Sequence, residues 1–181
     1  MFQGYKLLNQ HMAYDWKMFL DQLDNPDEAF SRYEEGISPK WHQKNLIRQK
    51  TRSPASVIKL SDIYQVVIIA VYNETIDVVE PTIQSLQKVE YDPKKMIIII
   101  AYEERGGPEV KKMVETLQKK YSNYFYSLNG VEHPKDIPNE VIGKGGNITN
   151  AGKWAEEYIS ANKIPPETTI VTTLDSDNRP H

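Results

Sequence analysis

Three absences restrict what this sequence can be. It has no cysteine, which excludes disulfide bonds and thiolate metal sites and is compatible with a reducing compartment. It has no run of roughly 18 apolar residues, the length that a membrane-spanning helix needs; residues 66–72 are apolar but have the length of a β-strand. It has no excess of positive charge, because the formal net charge is −3, and we therefore expect no binding to nucleic acid.

The remaining composition is typical of a folded, globular protein. Hydrophobic residues make up 39% and charged residues 26% of the 181 positions. This length is sufficient for one ordinary domain and little more. The N-terminal residues show no signal-peptide hydrophobic region, so we expect a cytoplasmic location.

The first 62 residues have helical patterns and no strand pattern. An aromatic stripe predicts a helix over residues 14–23, and Pro26 suits the first position of a second helix that extends to residue 33. A third helix is expected near residues 41–49. We interpret residues 1–62 as a helical arm, with the aromatic stripe in its core, and residues 63–181 as a separate domain.

Four basic residues lie close together near the end of this arm: Lys44, Arg48, Lys50 and Arg52. One interpretation is a solvated helix face. The other is contact with anionic lipid headgroups, which attract clusters of lysine and arginine. The sequence alone leaves both interpretations open.

From residue 64 onward, strand and helix patterns alternate. Short apolar or β-branched runs predict strands at residues 65–71, 96–101, 124–128 and 169–174. Strands that alternate with helices form βαβ units, so we predict an α/β fold, a Rossmann-like and mostly parallel sheet with helices on both faces. The last run is expected to be a buried, interior strand.

Three helices are expected between these strands. The first has Pro81 in its first turn. The second, over residues 108–121, has apolar residues at i, i+3, i+4 and i+7, the spacing of one helix face. The third covers residues 148–161. Residues 129–142 are predicted to form a loop that is long enough to carry function.

Two carboxylates one residue apart, Asp175 and Asp177, follow the last predicted strand. Ligands of open α/β sheets bind outside the carboxyl ends of the strands. Side chains at i and i+2 of an extended segment face the same way, so both carboxylates can address one ligand. Such oxygen ligands suit Mg²⁺ or Mn²⁺ bound together with substrate phosphates. The pattern predicts a metal–diphosphate site, with a plain acidic turn as the alternative.

A glycine-rich segment, residues 143–147, precedes the last predicted helix. It can bring Lys144 and backbone N–H groups, such as that of Gly145, close to a phosphate at a helix N-terminus. The Gly-Lys pair is not followed by serine or threonine, which excludes a Walker A motif, and the glycine spacing is not that of a dinucleotide fingerprint. A flexible connector is the alternative interpretation.

Four separated stretches resemble family 2 glycosyltransferases with the GT-A fold. They match the family's opening strand with its Asn-Glu turn, the helix after it, the Lys- and Gly-rich segment, and the Asp-x-Asp motif with a following proline: residues 67–74, 82–86, 143–152 and 174–180. Their order, their spacing and their places at strand ends agree with the family over roughly residues 64–181.

This resemblance implies a donor site for a UDP- or GDP-linked sugar. Asp177 would bind Mn²⁺ or Mg²⁺, and Asp175 would hydrogen-bond the ribose or complete the outer shell of the metal. Glu103 or Glu104 would accept a hydrogen bond from the base. Because a carboxylate cannot donate, it favours a base with an imino N–H, such as uracil or guanine. Lys144 would neutralise the diphosphate or position the sugar.

Two turns complete the implied nucleotide pocket. The turn after the first predicted strand would line the ribose or base pocket with four residues: Val71, Tyr72, Asn73 and Glu74. Capping of the next helix by Thr75 is the competing explanation for this turn. After the second strand the family usually has an aspartate cluster, whereas this chain has two glutamates and an arginine, which leaves the identity of the base open.

The family's acceptor half lies downstream of the Asp-x-Asp motif and carries the general base and, in processive members, membrane helices. The chain therefore resembles the donor-binding half of a longer, membrane-associated hexosyltransferase of polysaccharide biosynthesis, incomplete at its C-terminus. The general base is expected beyond residue 181. The whole enzyme would act at the cytoplasmic face of the membrane. It would transfer a sugar, with inversion, to a hydroxyl of an acceptor glycan or a lipid-linked acceptor, and the fragment alone would be inactive.

Three other functions are alternatives at this point. One is a nucleotide-binding or scaffold module without turnover. Another is a nucleotidyltransferase, which would release pyrophosphate. The third, a haloacid-dehalogenase-like phosphotransferase, also uses Asp-x-Asp but places it after the first strand, whereas here it follows the fourth predicted strand.

Overall fold

The chain forms two compact units, Met1–Asp62 and Ile63–His181. The structure is a computed structural model that describes residues 2–31, 39–52, 57–138, 140 and 143–180. Across these ranges, no helix is long and apolar enough to span a membrane.

The first unit contains four described helices: α1 (Phe2–Met12), α2 (Trp16–Asp24), α3 (Pro26–Ser31) and α4 (Lys40–Lys50). The helices predicted around residues 14–23 and 41–49 are confirmed as α2 and α4. Pro26 begins α3 as predicted, because a first-turn residue needs no N–H donor. The predicted end of that helix at residue 33 lies outside the described residues.

The core of the first unit is small and contains a histidine. Phe19 of α2 and Leu46 of α4 are buried, and the ring of His42 lies 4.4 Å from that of Phe19. Nε2 of His42 lies 2.7 Å from Oε1 of Gln22, and burial lowers the pKa of this histidine. The aromatic stripe is only partly in the core, because Trp16 of α2 is 46% exposed.

The second unit is built on a four-stranded, all-parallel sheet in the order β3-β2-β1-β4. Its strands are β1 (Tyr64–Val71), β2 (Met96–Glu103), β3 (Ser127–His133) and β4 (Thr169–Asp175). Three helices alternate with them: α5 (Ile76–Leu86), α6 (Pro108–Tyr121) and α7 (Lys144–Ala161). The predicted α/β class with a parallel, Rossmann-like sheet is therefore confirmed.

Helices cover both faces of the sheet because β1 and β2 carry apolar residues at every position of their centres. On one face, Val79 and Ile83 of α5 and Leu117 of α6 pack with the sheet. On the other face, α7 packs through the small residues Ala151 and Ala155. Small side chains let the helix approach the sheet closely. Because α7 connects the parallel strands β3 and β4, its first turn lies at the carboxyl ends of the strands.

The expectation that the last strand is buried and interior is wrong. β4 is an edge strand that pairs only with β1 among the described residues, and Ile170 and Val171 are 46% and 55% exposed. The β-branched run did identify a strand. It gave no information on how many neighbours the strand has, because a one-sided edge strand and an interior strand share the same propensities.

The second segment predicted incorrectly is the third strand. β3 covers Ser127–His133, whereas residues 124–128 were predicted, so the predicted loop over residues 129–142 begins inside the strand. Its aromatic neighbours suggested the wrong position, because Phe125 is buried in the turn before the strand. The strand itself is only half-buried and includes Gly130, so its pattern in the sequence is faint.

Two helix starts also lie earlier than predicted. α7 begins at Lys144 and not at residue 148, so the glycine-rich segment forms the first helical turn and is no flexible connector. α5 begins at Ile76 and keeps Pro81 in its interior. Pro81 removes one hydrogen-bond donor from the helix, which nevertheless continues to Leu86.

Candidate functional site

The carboxyl edge of the sheet holds a cavity of about 610 Å³. Its walls come from the ends of β1, β2 and β4, the turns after them, and the starts of α5 and α7. The lining residues are Ala70, Val71, Tyr72, Glu74, Val78, Glu103, Arg105, Gly143, Lys144, Asn147, Asp175, Ser176 and Asp177. Because β2, β1 and β4 are neighbours in the sheet, segments far apart in sequence meet here.

Most of the predicted site residues line this one cavity. They are Val71, Tyr72, Glu74, Glu103, Lys144, Asp175 and Asp177. Three predicted residues lie outside its walls: Asn73, Glu104 and Gly145. The strand register explains why Asp175 lies beside the end of β1 in this cavity, since Ala70 of β1 pairs with Asp175 of β4.

The turn after β1 is held by its own glutamate. The backbone N–H of Tyr72 donates to Oε2 of Glu74 at 2.7 Å, which folds this carboxylate back onto the strand end. Thr75 stands at the N-cap of α5, but its side chain makes no capping hydrogen bond, so the competing explanation for this turn lacks support. The ring of Tyr72 is half-exposed at the cavity.

The turn after β2 separates the two candidate glutamates. Glu103 is 4% exposed, lines the cavity and is ion-paired with Arg105. Glu104 turns away and accepts a hydrogen bond of 3.0 Å from the backbone N–H of Lys135. That backbone hydrogen bond lowers the pKa of Glu104. Of the two, only Glu103 is placed to meet a ligand in the cavity.

A glycine allows the turns after β1 and β2 to approach each other. A Cβ atom on Gly106 would lie 2.0 Å from the carbonyl oxygen of Tyr72, closer than any real contact. The same turn carries Arg105, whose guanidinium carbon lies 5.9 Å from the centre of the Tyr72 ring. The two turns therefore form one wall, with an aromatic ring and a cation side by side.

Lys144 stands at the first position of α7 and pairs with Asp175 across the cavity. The N-cap residue, Gly143, offers no side chain to the unpaired N–H groups of the first turn. A helix N-terminus of this kind attracts anions through its free N–H groups and its dipole. A positive side chain and a helix start thus face the acidic end of β4.

Asn147 is a cavity residue that the sequence patterns did not single out by itself. It is 2% exposed, and its Nδ2 donates to the carbonyl oxygens of Val71 at 3.3 Å and Ala101 at 2.9 Å. The carboxamide therefore ties the start of α7 to the ends of β1 and β2. One signal was available, because Asn147 precedes Ala151 and Ala155 at helical spacing on the buried face.

The two aspartates lie in different local structures. Asp175 ends β4, whereas Asp177 lies in a turn that Asn178 closes by donating its N–H to the carbonyl oxygen of Asp175 at 3.1 Å. The two residues therefore do not share one extended segment, and the predicted i and i+2 geometry is wrong. Both carboxylates nevertheless line the same cavity, because the turn bends Asp177 back toward it.

Helix α5 fixes this turn from behind. The hydroxyl of Thr82, which is fully buried, donates to the carbonyl oxygen of Ser176 at 2.6 Å. Arg179 donates to the same hydroxyl and, at 3.2 Å, to the carbonyl oxygen of Val78. These contacts leave the Asp177 side chain exposed toward the cavity while its backbone is held.

No ready-made metal cage exists among the residues that the structure describes, since no group of three or more His, Asp or Glu side chains is placed to hold an ion. The cavity instead offers two carboxylates from β4 and its turn. That donor set suits an ion that takes its remaining ligands from phosphate and water, as Mg²⁺ commonly does.

Comparisons with protein-family models, with curated protein sequences and with solved structures gave no match for this chain. The likeness to family 2 glycosyltransferases thus stays a prediction from the sequence.

Proposed function

We propose that the second unit binds the nucleotide-sugar donor of a glycosyltransferase that resembles the family 2 enzymes with the GT-A fold. One observation carries the proposal. Three of the four stretches that resemble this family supply walls of one cavity, through Tyr72 and Glu74, through Lys144, and through Asp175 and Asp177. The fourth stretch supplies Thr82, which fixes the last of these turns.

The charge of the cavity supports a divalent cation as part of the site. Among the described residues, its lining contains four carboxylates, those of Glu74, Glu103, Asp175 and Asp177, and two cationic side chains. A diphosphate would be repelled by this excess of negative charge. Mn²⁺ or Mg²⁺ held by Asp177, with Asp175 beside it, would neutralise this excess where the phosphates would lie.

Lys144 and the start of α7 face the same region. The lysine side chain is about half-exposed and paired with Asp175, so it can reach an anion that lies between them. The diphosphate would then meet a lysine, the free N–H groups of a helix and a metal-binding carboxylate. A bound metal ion would stabilise the charge that develops on the diphosphate as it leaves.

The β1–β2 wall is suited to the base. The half-exposed ring of Tyr72 provides a stacking surface, and base–aromatic stacking is favourable for any base. The carboxylate of Glu103, held by Arg105, can accept a hydrogen bond but cannot donate one. It therefore selects a base with an imino N–H, uracil or guanine. The sugar would be transferred to a hydroxyl of a glycan or a lipid-linked acceptor.

Calorimetry with UDP and GDP, each with and without Mn²⁺, tests this proposal. We expect one nucleotide to bind only with the metal, and Asp177→Asn to weaken that binding about a hundredfold, since a lost metal ligand affects affinity at least as much as an outer-shell change. Glu156→Gln, on the exposed surface of α7, removes the same charge and should bind normally.

Two outcomes would overturn it. One is the absence of nucleotide binding by the folded chain. The other is equal binding by Asp177→Asn and wild type, which would separate the nucleotide from these carboxylates. Release of pyrophosphate from a nucleoside triphosphate would instead favour the nucleotidyltransferase class.

A further inference from the structure

The first unit exposes tryptophans and basic residues together. We call these side chains the arm surface: Trp16, Leu20, Trp41, Lys44, Ile47 and Arg48. Trp16 and Trp41 stack with ring centres 5.7 Å apart and an interplanar angle of 23°, yet they are 46% and 39% exposed. Indole rings of this kind are favoured where one side is apolar and the other is wet, as at a bilayer interface.

Helix α4 has two opposite faces. Its inner face buries His42 and Leu46, whereas Lys44 and Arg48 lie exposed four residues apart. Two like charges at this spacing destabilise a helix by a few tenths of a kcal/mol in water. An anionic surface would attract both cations and screen their mutual repulsion.

These two cations differ from their neighbours in having no acidic partner among the described residues. Lys50 pairs with Asp27 at 2.8 Å, and Lys17 pairs with Asp21 at 2.9 Å. The arm surface itself contains two cationic side chains and no acidic one, so its own net charge is positive. This charge argues for an anionic occupant over a neutral one.

Helix α1 adds an exposed apolar stripe. Tyr5, Leu8 and Met12 follow the spacing i, i+3 and i+7 and are all more than half exposed. The end of α1 is fixed to the arm surface, because the indole N–H of Trp16 donates to the carbonyl oxygen of His11 at 2.9 Å. A helix with such a stripe can lie in the headgroup region of a bilayer.

We propose that the first unit binds the surface of a bilayer that contains anionic phospholipid. Trp16 and Trp41 lie at the headgroup level, and Lys44 and Arg48 contact the lipid phosphates. This inference does not depend on the nucleotide site, since every residue that it uses belongs to the first unit.

Vesicle flotation with the full chain tests the proposal, using phosphatidylcholine alone or mixed with phosphatidylglycerol. We expect binding to the mixed vesicles only, with partition falling as salt rises. The double substitution Lys44→Gln and Arg48→Gln should lower the partition coefficient about 25-fold, at about fivefold for each removed charge. Lys112→Gln with Lys119→Gln, which removes two exposed lysines of α6, is the matched control and should bind normally.

Fluorescence identifies the surface that touches lipid. The chain has three tryptophans, so a Trp154→Phe background leaves only Trp16 and Trp41. Their emission should shift to shorter wavelength on mixed vesicles. Circular dichroism of each variant verifies folding.

Three results would overturn the proposal: no binding to mixed vesicles, equal loss of binding in the α6 control, or an unshifted emission spectrum in the bound state. A dimer in solution that the Lys44 and Arg48 substitutions dissociate would also overturn it, because the arm surface would then be a contact between two copies.

Discussion

The two sides of the cavity are held in different ways. On the β1–β2 side, Glu103 is buried against Arg105, and Asn147 joins both strand ends to α7. On the β4 side, Asp175 and Asp177 are exposed; Asp175 pairs with Lys144, and Thr82 fixes the backbone between the two aspartates. The two sides differ because β1 lies between two strands, whereas β4, which contains three threonines, lies at an edge. The first side is preformed, and the second keeps its charges available to a ligand.

The largest expected difference between the two sides is in core stability. Ile99 of β2 is fully buried, so Ile99→Ala should lower the free energy of unfolding by about 2–5 kcal/mol. Val171→Ala, in the exposed part of β4, should lower it by less than about 1 kcal/mol. Urea unfolding followed by Trp154 fluorescence, with Trp16 and Trp41 replaced by phenylalanine, measures both. Equal losses would mean that β4 is as buried as β2.

A second comparison uses the two ion pairs of the cavity. Arg105→Met leaves the buried Glu103 carboxylate without its cation and should destabilise the unit by about 2 kcal/mol, somewhat less than a fully buried pair. Lys144→Met breaks the exposed pair with Asp175 and should cost less than about 1 kcal/mol.

The same urea assay measures both ion-pair variants. Adding Glu103→Gln to Arg105→Met should restore part of the lost stability, because it removes the unpaired charge. If the double variant is no more stable than Arg105→Met, burial of the charge is not the cause.

The carboxamide of Asn147 is the next target. Asn147→Ala removes two hydrogen bonds to strand-end carbonyls and should destabilise the unit by about 1–3 kcal/mol. Thr149→Ala, whose exposed hydroxyl bonds within α7, serves as the control and should change stability little. Thermal unfolding by circular dichroism measures both. A harmless Asn147→Ala would show that these two hydrogen bonds contribute little to holding α7 on the sheet.

The smallest effect is expected behind the Asp177 turn. Thr82→Val keeps the side-chain shape but removes the hydroxyl that bonds Ser176, a loss of about 1 kcal/mol. We expect Mn²⁺-dependent nucleotide binding to weaken by about fivefold, since the turn that positions Asp177 loosens. Thr116→Val, on the exposed face of α6, is the matched control. Unchanged affinity in calorimetry would mean that Arg179 suffices to hold the turn.

Local sequence patterns predict the central strands and helix of the second unit well. β1 and β2 are predicted correctly because their apolar residues form uninterrupted runs. α6 is predicted correctly because its buried residues repeat at helical spacing, and it spans the predicted residues 108–121. β3 was misplaced because its half-buried residues alternate weakly and its aromatic neighbours mimic a strand. A sequence pattern reflects the average burial of a segment. Half-buried elements such as β3 therefore give weaker patterns and are located less accurately.

The sequence predicts which residues line the candidate site better than it predicts how their side chains are arranged. Asp175, Asp177 and Lys144 follow from strand ends and a glycine-rich segment, and the cavity contains all three. The choice between Glu103 and Glu104 depends on a hydrogen bond to Lys135, 31 positions from Glu104. The bridge made by Asn147 likewise depends on carbonyls 46 and 76 positions away. Contacts of that range leave no local pattern.

Gly106 has a consequence for how this chain can vary. Any side chain at this position would displace the Tyr72 carbonyl and push the turns after β1 and β2 apart. In a library that substitutes every residue in turn, position 106 should therefore be among the least tolerant of the sheet unit, although it contributes no chemical group of its own. Low tolerance to substitution would then mark a glycine that supports the wall of the cavity, as well as the charged residues that line it.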